Sequence, residues 1–343
     1  MSARAVKRSV RGASVRGILS VVLVLAALVL GMSVAPAQAD TVPNGGEPET
    51  VSNDALPTVQ VDGVVWSQVV VGNTVYVGGN FTTARPAGAA PGVNTTPRSY
   101  LLAYNVTTGQ LISSFAPTLD APVLGVAASP DGSRVYAVGD FTKVNGQNRY
   151  RAVAFNTANG SVVSSFAPGI SARTRSIIAT NDTVYLGGSF TNISGVTRTR
   201  LAAIRASNGA VLDWAPSAAG GGNQVMALAL TPDKSKLIVG GNFTTLNGNN
   251  ALGLGAVDPA TGATVPWAAA STVKNSGLAS AITSLVAGND SIYGTGYVAG
   301  TDPGLPKGNL EGSFAASANS GDVRWVSSCR GDSYGTFPVN GAS

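Results

Sequence analysis

The sequence predicts an all-β fold assembled from repeated units of four short strands. After residue 39 no stretch has the 3.6-residue spacing of apolar residues that marks an amphipathic helix. A short phrase recurs four times instead, and its phenylalanines are separated by 60, 49 and 53 residues. The four phrases end in Phe81-Thr82, Phe141-Thr142, Phe190-Thr191 and Phe243-Thr244, and residues 292–297 form a decayed fifth copy. Repeats of this length made of short strands and turns predict a β-propeller.

Each unit follows the same order of strands and turns. An apolar first strand is followed by a turn such as Pro130-Asp131-Gly132, and the repeated phrase forms the second strand. A polar loop leads to a third strand, and a glycine turn such as Ala158-Asn159-Gly160 leads to a fourth. Proline, aspartate, asparagine and glycine favour these turns because they tolerate the required backbone angles. Five complete units are predicted, over residues 59–117, 118–168, 169–216, 217–268 and 269–328, and residues 329–343 resemble the start of a sixth.

The N-terminal 39 residues predict a secretory signal. Five basic residues precede an apolar run over residues 18–32, and Ala37-Gln38-Ala39 has the small-residue pattern of a cleavage site. The apolar run is shorter than the roughly 20 residues that span a bilayer. Residues 40–58 are rich in proline, glycine and acids, which predicts a linker or extended arm. The sequence therefore predicts a secreted, extracellular protein whose propeller occupies residues 59–343.

Composition excludes several classes of function. The chain has no histidine, which excludes Ser-His-Asp or Cys-His catalysis and histidine-ligated metals. The formal charge of +5 comes entirely from the signal segment, because the remaining 17 basic residues balance 17 acidic ones. We therefore expect no nucleic-acid partner, since such a partner needs a concentrated basic surface. No residue pattern indicates a catalytic residue, a metal site or a cofactor, and Cys329, the single cysteine, has no partner in the chain.

The phrases at residues 239–248 (VGGNFTTLNG) and 135–149 (VYAVGDFTKVNGQNR) resemble the delta-60 type β-propeller repeat of bacterial exported proteins. The resemblance extends over about residues 60–326 and implies a propeller without defining an activity. Actinobacterial relatives resemble residues 328–334 but have histidine where this chain has Arg330. They continue into further strands and a second cysteine. This difference implies that the sequence is shortened at its C-terminal end.

Aromatic residues close the fourth strand of every unit and are expected to pack between neighbouring units. They are Phe115, Phe166, Trp214, Trp267 and Trp325. Residues 256–267 also resemble the tryptophan-docking motif of quinoprotein propellers, with one additional residue before the tryptophan. This resemblance keeps open an extracellular enzyme, either a quinoprotein-like dehydrogenase or a polysaccharide lyase or hydrolase. The lack of histidine and of paired glutamates argues against that alternative.

Arg98, Arg149 and Arg198 share one register, five residues before an alanine of the third strand in three successive units. Arginines on one face could bind a carboxylated polysaccharide or a phosphate-rich wall polymer. The alternative is a repeated structural contact with a nearby carbonyl or carboxylate. The leading expectation is a non-catalytic binding or scaffold module for an extracellular glycan, a cell-wall polymer or a protein. Its ligand is expected on the loops at residues 85–97, 143–149 and 246–250, because propeller loops vary without disturbing the core.

Overall fold

The computed structural model describes residues 58–328 and 331–336. The predicted signal segment, residues 40–57 of the predicted linker, Cys329, Arg330 and residues 337–343 lie outside the described residues. The regular secondary structure of the described chain is β-strand apart from one short helix, α1 (Ala269–Thr272), which confirms the predicted all-β class. Across the same residues, no helix has the length and apolar character needed to cross a bilayer.

The strands are short, and each contains between two and eight residues. In chain order they are β1 (Gln60–Val61), β2 (Val64–Val71), β3 (Thr74–Asn80), β4 (Thr83–Arg85), β5 (Thr96–Pro97), β6 (Leu101–Asn105), β7 (Val123–Ala128), β8 (Arg134–Gly139), β9 (Lys143–Val144), β10 (Gln147–Asn148), β11 (Ala152–Asn156), β12 (Thr174–Ala179) and β13 (Thr183–Gly188). The second half contains β14 (Asn192–Ile193), β15 (Val196–Thr197), β16 (Leu201–Arg205), β17 (Ala218–Ala219), β18 (Val225–Leu230), β19 (Leu237–Gly241), β20 (Thr245–Leu246), β21 (Asn249–Asn250), β22 (Leu254–Val257), β23 (Ser280–Ala287), β24 (Ser291–Val298), β25 (Gly312–Ser317) and β26 (Val323–Ser328).

Five antiparallel main sheets follow one another along the described chain. Their strand orders are β2-β3-β6, β7-β8-β11, β12-β13-β16, β18-β19-β22 and β23-β24-β25-β26. The strand of the repeated phrase is central in each of the first four sheets. The first strands of successive sheets touch in series, from β2 through β7, β12 and β18 to β23. The five sheets are therefore arranged side by side with their first strands toward a shared interior.

The predicted fourth strand is complete only in the last main sheet, as β26. In the first four units it is reduced to one bridge, for example between Leu111 and Tyr104. The chain then turns, with the amide of Phe115 donating to the carbonyl of Ile112 at 3.3 Å. The segment leaves the sheet here because its closing aromatic enters the interface with the next sheet. The four-stranded unit predicted from the sequence is thus three strands and a bridge in most of the chain.

Small polar sheets lie beside the first four main sheets. They contain β1-β4-β5, β9-β10, β14-β15 and β17-β20-β21. Each includes a hairpin that directly follows the repeated phrase, and two of these hairpins turn at Asn145-Gly146 and Asn247-Gly248 with positive φ at both residues. Asparagine followed by glycine is the preferred pair for such tight hairpin turns. The loops predicted to carry specificity are therefore built as short, well-defined hairpins, apart from the longer β4–β5 connection.

In each of the first two units, an aspartate in the segment before the first strand of the main sheet is hydrogen-bonded to the start of the hairpin. Asp120 accepts hydrogen bonds from the amide and hydroxyl of Thr142 at 2.7 and 2.6 Å and from the amide of Lys143 at 2.9 Å. Asp62 makes the same three contacts with Thr82 and Thr83. Desolvation alone would raise the pKa of each carboxyl, but these hydrogen bonds outweigh it and lower both pKa values. Both aspartates are therefore structural carboxylates.

Candidate functional site

The first strands of all five sheets line one cavity of about 220 Å³. We call it the central cavity. Its volume corresponds to about seven water molecules, or to one small ligand group such as a single sugar ring. Tyr334 also lines it, and the carbonyl of the adjacent Ser333 accepts a 2.6 Å hydrogen bond from the hydroxyl of Thr283, which holds this segment beside β23. The fold thus gathers residues from the whole described chain at one point.

Every first strand contains a β-bulge near its start, and the bulged residues line the central cavity. The register of each strand skips one residue against its neighbour. The skipped residues are Trp66, Leu124, Arg175, Met226 and Thr283, and all five line the cavity. Side chains along a regular strand alternate between the two faces of the sheet, and a bulge turns one side chain away from this pattern. The five bulges therefore present five chemically different side chains to one space.

One glycine near the end of each second strand explains how the bulges form. It stands opposite the residue before the bulge in each sheet: Gly79, Gly139, Gly188, Gly241 and Gly296. A Cβ atom at any of these positions would lie less than 3.0 Å from a backbone carbonyl of the first strand or of the residue preceding it. Glycine is required because the two backbones approach too closely for a side chain. The phrase that identifies the repeat thus creates the wall of the cavity.

Arg175 is the charged residue among the side chains that line the central cavity. One nitrogen of its guanidinium donates to Oε1 of Gln224 at 3.2 Å, and this partner is neutral. Burial lowers the pKa of Arg175, and the positive charge of nearby Arg173 lowers it further. Arg173 itself is paired with Asp140 through three contacts between 2.7 and 3.1 Å. The described residues therefore leave a partly buried cation in the cavity without a carboxylate of its own.

The three predicted binding arginines lie outside the lining of the central cavity, and each makes the same local contacts. Arg98, Arg149 and Arg198 donate to the carbonyl of the preceding residue at 2.8 to 2.9 Å. Each also donates to a carbonyl of the bridge segment of its own unit, at 3.4, 3.5 and 2.6 Å. The Nε atom of each is buried without a partner among the described residues. The structure thus gives these arginines a repeated contact with backbone, and a ligand-binding role for them stays a prediction.

Four of the five predicted closing aromatics are buried between neighbouring sheets. Phe115 packs edge-on against Tyr76 of its own sheet and Phe155 of the next, with ring centres 5.1 and 5.3 Å apart. Phe166 and Trp214 are buried in the next two interfaces. The indole of Trp267 donates to the carbonyl of Ser317 in the fifth sheet at 3.0 Å. Trp325 is different, because 44% of its surface is exposed.

Turn aspartates between the first and second strands are held by local hydrogen bonds. Asp233 accepts from the hydroxyl of Thr231 at 2.6 Å and from the amide of Ser235 at 3.0 Å, which lowers its pKa to about 2. Asp131 makes equivalent contacts with Ser129 and Ser133. These turns join the far ends of the first strands, away from the bulges. Their carboxylates therefore stabilise turns rather than line the cavity.

Sequence analysis did not single out the cavity residues, although a signal for them exists. In each first strand the bulged residue is followed by a small one, namely Ser67, Gly125, Ser176, Ala227 or Ser284. The residue before it is β-branched in every case. The variable position between these two is the one that faces the cavity. This three-residue pattern is too short to be recognised without the strand pairing.

One comparison with known proteins bears on the repeat. A family model described as a β-propeller domain of unknown function (DUF5122) matches residues 130–166. The matched segment begins at the turn before β8 and ends at the closing aromatic Phe166, so it covers most of one unit. It supports a β-propeller repeat. No curated protein matches the chain.

Proposed function

We propose that this protein is a secreted, non-catalytic β-propeller module that binds an extracellular glycan, a cell-wall polymer or a protein. Its ligand would dock at the central cavity and on the hairpins around it. The single observation that carries the proposal is the set of five bulges that aim different side chains into one space. In the first four units a hairpin follows the second strand, whose end pairs with the bulged start of the first strand, so both features occupy the same end of these four sheets.

The side chains at the bulge positions support a role in ligand recognition rather than in packing between the sheets. Positions that pack the sheets together repeat the same residue type, as Tyr76, Tyr136 and Tyr185 do on three second strands. The bulge positions instead differ in every sheet, with an indole, a branched alkyl group, a guanidinium, a thioether and a hydroxyl. A repeated fold has no structural need for such variety, whereas a ligand-specific surface does. No observation on the described residues favours the alternative of an enzyme.

Replacing Trp66 tests the proposal directly. Its side chain is 51% exposed and lines the cavity, so Trp66→Ala should remove contact area without collapsing a core. We expect binding to a glycan array, measured with the protein lacking its signal segment, to weaken about tenfold or more, as for a principal contact residue. Tyr150→Ala is the matched control, because Tyr150 is 45% exposed and lies outside the cavity lining. An equal loss in both variants would contradict the proposed site, and a blank array would exclude the glycan and wall-polymer forms of the proposal.

We also propose that the units are of the bacterial delta-60 type and that the natural ring contains a further sheet beyond β26. Apolar exposure in the first and last sheets supports this: Val64, Val65 and Val70 on β2, and Trp325 and Val326 on β26. In the inner sheets the equivalent aromatics are covered by the following sheet. We expect acrylamide to quench the fluorescence of Trp325 poorly in the natural protein. The contribution of Trp325 is the difference in quenching between the wild type and Trp325→Phe. Full quenching of Trp325 would show that no sheet covers β26.

A further inference from the structure

We infer that the central cavity recognises an acidic sugar, whose carboxylate pairs with Arg175 and whose ring lies against Trp66. This inference rests on the proposed binding function and names the ligand class for the same site. Its starting point is the position of Arg175 at the bulge of β12, between Thr174 and Ser176, both of which are buried. The bulge turns the guanidinium out of the sheet and into the cavity. A long cationic side chain is thereby held where a ligand would enter.

The hydrogen bonds around Arg175 leave room for an anion. Its contact with Gln224 uses one of five N–H donors. Among the described residues neither its Nε nor its other terminal nitrogen has a hydrogen-bond partner. Buried charges are normally paired, because removing them from water is costly. A planar carboxylate would satisfy two donors of the guanidinium at once.

The carboxylates of the chain near Arg175 have other partners, which favours an anion of the ligand as the partner of Arg175. Asp140 is occupied by the bidentate contact with Arg173. Asp332 accepts a 2.8 Å hydrogen bond from the hydroxyl of Tyr334, another residue at the cavity. Neither carboxylate forms an ion pair with Arg175 in the described chain. The positive charge of Arg173 is balanced by Asp140, so Arg175 leaves the cavity with a net positive charge.

The apolar lining of the central cavity restricts the kind of ligand that can bear the carboxylate. Trp66, Leu124 and Met226 supply the apolar wall, and the cavity of about 220 Å³ admits roughly one ring-sized group. An exposed indole offers a flat face of the kind that packs against a ring of similar size. Thr283 and Tyr334 add hydroxyl groups that can bond to ligand hydroxyls, although the Thr283 hydroxyl already donates to Ser333. A uronic acid residue combines one carboxylate, one ring and several hydroxyl groups, which matches this set.

The test compares three probes by isothermal titration calorimetry on the protein lacking its signal segment. They are trigalacturonate, its neutral methyl ester and glycerol 3-phosphate. We expect trigalacturonate to bind and Arg175→Gln to weaken that binding about 10- to 100-fold, the range for a hydrogen-bonded charge contact. Arg175→Lys should retain part of the affinity, since it keeps the charge but loses the planar fork. Arg205→Gln is the matched control, because Arg205 is exposed on β16 outside the cavity lining and the change in net charge is the same.

The outcomes separate this inference from the proposed function. Equal binding of the acid and its methyl ester, unaffected by Arg175→Gln, would overturn the inference and leave the binding module intact. Binding of glycerol 3-phosphate alone, lost in Arg175→Gln, would overturn the acidic sugar and replace it with a phosphate ligand. Absence of binding by every probe, together with a blank glycan array, would overturn the inference and also the glycan and wall-polymer forms of the proposed function. Retention of affinity in Arg175→Lys with loss in Arg175→Gln would support the charge contact even if the glutamine variant were less stable.

Discussion

Replacing Asn275 by leucine is expected to lower the free energy of unfolding by about 3 kcal/mol or more. Asn275 is fully buried, and its side-chain amide contacts three backbone carbonyls: Ala281 at 3.3 Å, Tyr297 at 3.1 Å and Leu310 at 2.6 Å. Its Oδ1 accepts from the amides of Asn309 and Leu310 at 3.1 and 3.0 Å. Leucine has a similar size but cannot make these contacts, so the amide and carbonyl of the buried Leu310 would lose the partner that Asn275 provides. That loss exceeds the gain from burying apolar surface.

Asn275 has this importance because the fifth unit contains only the decayed copy of the repeated phrase at residues 292–297. No hairpin like those after β8 and β13 follows β24 in the described chain. The Asn275 side chain instead joins three segments around β23, β24 and the approach to β25. Chemical denaturation monitored by tryptophan fluorescence measures the effect, with Asn148→Leu on the exposed strand β10 as the control. Similar unfolding midpoints for the two variants would show that the Asn275 contacts contribute little.

Replacing Gly188 by alanine is the second change for which we expect a large effect, a loss of about 1–3 kcal/mol of stability. An alanine Cβ here would lie less than 3.0 Å from the carbonyl oxygen of Arg173 and from the Cα of Thr174. Both contacts are with backbone, so no side chain can rotate away. The start of β12 would have to move, and the adjacent bulge residue Arg175 would move with it. We therefore expect weaker ligand binding as well as lower stability.

The control for Gly188→Ala is Gly169→Ala. Gly169 lies in the connection between β11 and β12, and the nearest atom to an added Cβ there is Oγ of Ser194 at 3.7 Å, an ordinary contact. Thermal unfolding and binding to the same probes should be measured for both variants. Wild-type stability in Gly188→Ala would mean that β12 and β13 can move apart at this point without a loss of free energy of unfolding. The bulge would then not depend on this glycine.

The repeat could be predicted from the sequence because its signals are local. The turns at Asp131 and Asp233 and the hairpin at Asn145-Gly146 form where turn chemistry places them, since each depends on residues within a few positions. The fourth strand could not be predicted in the same way. Residues 110–115 have a strand-like composition, yet only Leu111 forms a bridge before Phe115 enters the interface between sheets. Burial of the aromatic decides that path, and burial depends on the neighbouring sheet.

The sequence alone determined that this protein is an all-β chain of repeated units, with aromatic residues and glycines at fixed places in each. It could not reveal that one glycine of each second strand faces a bulge, because strand register depends on how two separate segments pair. Nor could it bring Trp66, Arg175 and Thr283 together, since more than a hundred residues separate each from the next. Only the packing of five sheets around shared first strands places these side chains at one cavity. Residues close together in the sequence therefore determine the repeat, whereas the site forms only when the repeated units pack against one another.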